Sequence, residues 1–61
     1  MRKNELAETT AVTVWRNGDC ARALGMLREC GYNDGAVWQF LTGRLGFGSA
    51  VAVSLAARYG A

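Results

Sequence analysis

The sequence predicts an all-α fold, a small bundle of four short helices, and two observations carry that expectation. Apolar residues recur at three- and four-residue spacing in stretches that each follow a good helix-capping residue, and glycines stand where most of those stretches stop. With 61 residues, the chain reads as one domain, 1–61, with a core so small that pairing with a second copy would help it.

Asn4 is placed to cap a first helix, with Glu5 and Glu8 where the helix dipole favours negative charge. Leu6, Ala7, Ala11, Val14 and Trp15 supply its apolar side. The β-branched residues Thr9, Thr10, Val12, Thr13 and Val14 leave a short N-terminal strand over residues 11–15 as an alternative. Asn17-Gly18 ends either element, since both residues tolerate positive φ.

Asp19 caps a second helix running to about Cys30, with Cys20, Ala23, Leu24, Leu27 and Cys30 as its apolar stripe and Gly31 as its stop. Tyr32 then packs back on the helix end. Asn33 or Asp34 caps a third helix in which Val37, Phe40 and Leu41 face the core and Trp38, Gln39 and Thr42 lie toward the flank and outer face. Gly43 closes it. In the glycine-rich connection that follows, Leu45 and Phe47 tuck inward. Ser49 caps a fourth helix, Ala50 to about Tyr59, that has almost no polar face. A central place in the bundle would cover it, and so would a homodimer interface built on Val51, Val53, Leu55 and Tyr59; the dimer is the expectation we carry forward.

Composition narrows the function. There is no histidine to act as a general base or metal ligand, and Cys20 and Cys30, ten residues apart, match no zinc or redox spacing. We therefore expect no enzyme, no catalytic residues, no metal and no cofactor. Reduced thiols are the simplest reading, with a disulfide between neighbouring helices left open. Met-Arg-Lys-Asn followed by Glu5 and Glu8 is neither a signal nor a transit peptide, and no stretch approaches the roughly 20 apolar residues that span a bilayer. The expectation is a cytoplasmic protein with no membrane partner. The net charge of +2, spread over Arg2, Lys3, Arg16, Arg22, Arg28, Arg44 and Arg58, is compatible with nucleic acid without demanding it.

The segment from Leu27 to Arg44 has the ingredients of a helix-turn-helix. An apolar helix end (Cys30), a turn glycine (Gly31), an apolar residue after it (Tyr32) and a second helix anchored at Val37 follow at the right spacing. With Leu41-Thr42-Gly43-Arg44 at its end, it resembles the Cro and phage-repressor type of helix-turn-helix family over roughly residues 19–59. That resemblance implies a transcriptional regulator, with residues 33–42 as recognition helix, bound as a dimer to double-stranded DNA. The positions it points to are Asn33, Asp34, Gly35, Trp38, Gln39 and Thr42, with Arg44 and Arg22 on the backbone. Among them Gln39 suits a bidentate contact to adenine.

A second resemblance competes. Gly31-Tyr32, a helix, a loop and an alanine-rich helix are similar to ubiquitin-associated three-helix modules, with Leu41, Val51 and Leu55 at suitable spacings. It implies a protein-binding module, or a viral-type inhibitor of a host protein, anchored by Trp38, Tyr32 and Phe47.

Overall fold

The computed structural model, described over residues 3–59, contains four α-helices: α1 (Lys3–Arg16), α2 (Cys20–Glu29), α3 (Asp34–Gln39) and α4 (Ser49–Tyr59). A π-helical turn, Phe40–Arg44, continues directly from α3. The all-α bundle expected from the sequence is what forms, and no strand is present among the described residues.

The alternative strand at residues 11–15 is therefore corrected to helix. Ala7, Ala11, Val14 and Trp15 recur at helical spacing and pack against or into the core. The threonine hydroxyls support the same choice, because Thr9 donates to the Glu5 carbonyl at 2.9 Å and Thr10 to the Leu6 carbonyl at 3.0 Å. Such back-bonding to the preceding turn lets exposed β-branched residues sit on a helix surface. The helix already includes Lys3, so Asn4 lies within it rather than at its cap.

α1 and α2 end in the same way. Gly18, at φ 90°, donates to the Trp15 carbonyl while Asp19 donates to that of Val14. Gly31, at φ 93°, donates to Arg28 while Tyr32 donates to Leu27. Both are Schellman closures, which place their penultimate residue in a left-handed conformation that glycine adopts without a Cβ penalty. The first closure has a consequence for Asp19. It holds the N-cap position of α2 but makes no side-chain cap bond, since its backbone (φ −100°, ψ 61°) lies outside the extended geometry a capping side chain needs.

Asn33 does cap α3: its backbone is extended and its Oδ1 accepts the Ala36 N–H at 2.9 Å. Gly43 does not close that helix. The chain stays helical to Arg44 with a widened turn in which the Leu45 N–H reaches the Phe40 carbonyl at 3.1 Å. Ser49 likewise begins α4 instead of capping it, and the Gly48 carbonyl takes the first helical hydrogen bond, from Ala52 at 2.8 Å.

Ala11, Ala23, Leu24, Leu27, Val37, Phe40, Leu41 and Ala52 form the buried core. The three alanines let helices approach closely, and Phe40 and the leucines fill the space between them. α1 and α2 make the most extensive pair, a hairpin across Asn17–Asp19, while α4 rests on α2, α3 and the π turn together. Leu45 and Phe47 pack inward as expected. Cys30 does not, because it falls at the cap of α2, where the helical stripe runs out, and is exposed.

Candidate nucleic-acid interface

The helix α3 and the π turn define the candidate surface. Val37, Phe40 and Leu41 turn inward, so the residues between them divide by exposure. Asn33, Asp34, Gly35, Gln39 and Arg44 are exposed, whereas Trp38 and Thr42 are half-buried. Trp38 packs against the core, and the Thr42 hydroxyl donates back to the Trp38 carbonyl at 3.0 Å.

Asp34 is not a bare negative charge. Arg28, the last basic residue of α2, reaches across the turn and donates to its carboxylate at 2.5 Å. Arg22 is exposed near the start of α2 and does not line the groove beside α3.

An open groove of about 570 Å³ lies beside α3, and three of the expected residues, Asn33, Gln39 and Arg44, line it. Glu8 and Tyr32 line it as well. Tyr32 donates its phenolic O–H to Glu8 Oε2. Arg44 stands with Nη1 4.0 Å from Glu8 Oε1 and donates from Nη2 to the Thr9 hydroxyl at 3.0 Å. Burial first, then the hydrogen bond to Glu8 and that carboxylate's charge, push the Tyr32 phenol up to about 12. Burial and the carboxylate's charge disfavour the phenolate, and the hydrogen bond stabilises the neutral donor.

From the sequence, Glu8 has only a dipole role and Tyr32 only a packing role. Their pairing joins α1 to the α2–α3 turn, which no local pattern indicates. The residues assigned to a dimer interface also separate. Leu55 packs against the core and Tyr59 lies edge-on to Trp15 with centroids 5.9 Å apart. Val51 and Val53 are 50% and 59% exposed, but two helical residues apart they point about 200° from one another.

Among the described residues no group of acids and cysteines is arranged to hold a metal ion, and no helix is long and apolar enough to cross a membrane. Fold and surface together define a small all-α domain with a polar groove beside its third helix. Comparison with protein-family models, with curated proteins and with solved structures finds no match.

Proposed function

We propose that this chain is a sequence-specific DNA-binding regulator of the Cro and repressor kind, with residues 33–42 as its recognition segment and a second copy completing a two-fold reader. The observation that supports this reading most is how exposure divides the two sets of candidates. The polar residues that a DNA reader needs, Asn33, Gln39 and Arg44, are exposed around one turn and one groove. The aromatic anchors that a protein-docking module needs, Tyr32, Trp38 and Phe47, are packed against the core, and Leu41 is fully buried. An interface whose aromatic anchors are half-buried against the core and whose Leu41 is buried has less to offer a host protein.

The Arg28–Asp34 pair supports the same reading, because it neutralises the one acid on α3 that would meet phosphates. Gln39 is the base reader, its amide suited to the N6 and N7 edge of adenine. Arg44 and Arg22 supply the electrostatic part, and two phosphate contacts per subunit give the dimer a salt slope of about −4.

The test is a titration of duplex DNA at several salt concentrations, with a pull-down from lysate run before and after nuclease treatment. We expect steep weakening with salt and loss of bound material on nuclease treatment. A nuclease-resistant protein partner held equally well at high salt would replace this reading with the docking one.

A further inference from the structure

We infer that the groove beside α3 is the seat of a DNA backbone phosphate, and that Glu8 is a built-in competitor which occupies Arg44 until the phosphate displaces it. The inference rests on the DNA-binding reading and adds to it a site and a means by which the chain limits its own affinity.

Three donor-bearing side chains, Asn33, Gln39 and Arg44, line this one groove. Asn33 spends its carbonyl oxygen on the α3 cap, which leaves its amide N–H₂ as the part available to a ligand. Gln39 is exposed, and the Arg44 side chain is 43% exposed. An amide, a second amide and a guanidinium around an open cavity suit a ligand that only accepts hydrogen bonds and carries negative charge.

Glu8 is the one acid on the wall, and its position is fixed by another residue. Tyr32 donates its phenol to one carboxylate oxygen, so Glu8 gives up that hydrogen bond if it follows Arg44. The 4.0 Å separation of Arg44 and Glu8 is too long for a hydrogen bond, and the contact to Thr9 is a neutral one. A guanidinium has five donors, and these contacts leave most of them for a phosphate that binds as a fork. Arg44 is therefore held loosely enough to be taken, and held enough to cost affinity.

The test measures anisotropy of a labelled random-sequence duplex at several salt concentrations against the parent chain, Glu8→Gln, Arg44→Gln and the double variant. Circular dichroism checks that each is folded. Glu8→Gln keeps an oxygen for Tyr32 and removes only the charge. It should bind about two- to five-fold more tightly at low salt, the gain shrinking as salt rises. Arg44→Gln should weaken binding and reduce the salt slope by about 1 per subunit, about 2 for the dimer, and in its presence Glu8→Gln should add nothing. Thr9→Ala, which leaves net charge alone, should give a smaller gain in the same direction.

An equal gain with and without Arg44 would reduce Glu8 to general repulsion and overturn the proposal. So would an unchanged Glu8→Gln, or a weaker complex for Thr9→Ala, while the parent chain binds. Failure of every variant to bind the duplex would remove the DNA reading itself, and this proposal with it.

Discussion

Tyr32 and Glu8 lie 24 residues apart in sequence, and the phenol of the first donates to the carboxylate of the second. That bond ties the α2–α3 turn to α1. Tyr32→Phe keeps the ring packing and removes the bond, so we expect a loss of about 1 kcal/mol in denaturant unfolding. The variant should also lose a pH response. An unfolded tyrosine titrates near 10, whereas Tyr32 in the fold is raised to about 12. Below pH 10 both states keep the proton and the contribution is complete; it then falls as pH rises from 10 through 12, because only the unfolded chain gives up its proton. Melting temperatures across that window should decline more steeply for the parent chain than for Tyr32→Phe.

Two glycines of the same region should respond in opposite directions to alanine. Gly31 sits at φ 93° and a Cβ there would meet nothing within 4 Å, so Gly31→Ala carries backbone strain alone, about 1–2 kcal/mol of destabilisation. Gly25 lies within α2 at ordinary helical φ with equally open space around it. Gly25→Ala should stabilise by about 0.5–1 kcal/mol. Urea midpoints of the two variants measure both signs.

These local features are also the ones that the sequence displays. Gly18, Gly31 and Asn33 act on backbone groups within a few residues of themselves, so residue type and spacing suffice to place them. The inward set Val37, Phe40 and Leu41 is legible for the same reason. Residues 11–15 were ambiguous because β-branching points to a strand while the spacing of Ala7, Ala11 and Val14 points to a helix, and tertiary packing decides between them. At the candidate site, Asn33, Gln39 and Arg44 are legible in the sequence, whereas the pairing of Glu8 with Tyr32 is not. Glu8 and Tyr32 meet only once the hairpin of α1 and α2 has formed, and a contact of that range leaves no periodic trace.

Trp15 lies 5.8 Å from Phe47 and 5.9 Å from Tyr59, measured between ring centroids, and so fastens the end of α1 to the last turn of α4. A double-mutant cycle between Trp15→Leu and Tyr59→Leu should give a coupling of about 0.5–1.5 kcal/mol. Zero coupling would mean that the last turn of α4 stands without this aromatic support.

Cys20 and Cys30 begin and follow the same helix, and ten residues of α-helix separate them by about 15 Å. A disulfide needs Cα atoms within about 7 Å, so the folded chain cannot close one internally. The disulfide left open by the sequence is thereby excluded while α2 is intact. Under native conditions the exposed Cys30 should react with a thiol reagent faster than the half-buried Cys20, and both should react equally in denaturant. Mass spectrometry of partly labelled protein reads the order directly.

Gln39 is exposed and has no part in the core. Gln39→Ala should therefore leave the melting temperature unchanged and lower the preference for the best duplex over random duplex by about 1–3 kcal/mol, with non-specific binding nearly intact. An unchanged preference removes Gln39 from the reading surface.

The π turn at Phe40–Arg44 leaves that stretch with a residue to spare. A π turn completes one full rotation with about one residue more than an α turn, so it can give up a residue and still bring the Leu45 N–H to the Phe40 carbonyl, as an ordinary α turn. Leu45 and Phe47 would then enter the core on nearly the same bearing. A substitution at exposed Gly43 is absorbed locally as well. Length variants of this protein should accept the loss of one residue across these five positions better than within α2, where a deletion turns every later side chain by about 100°.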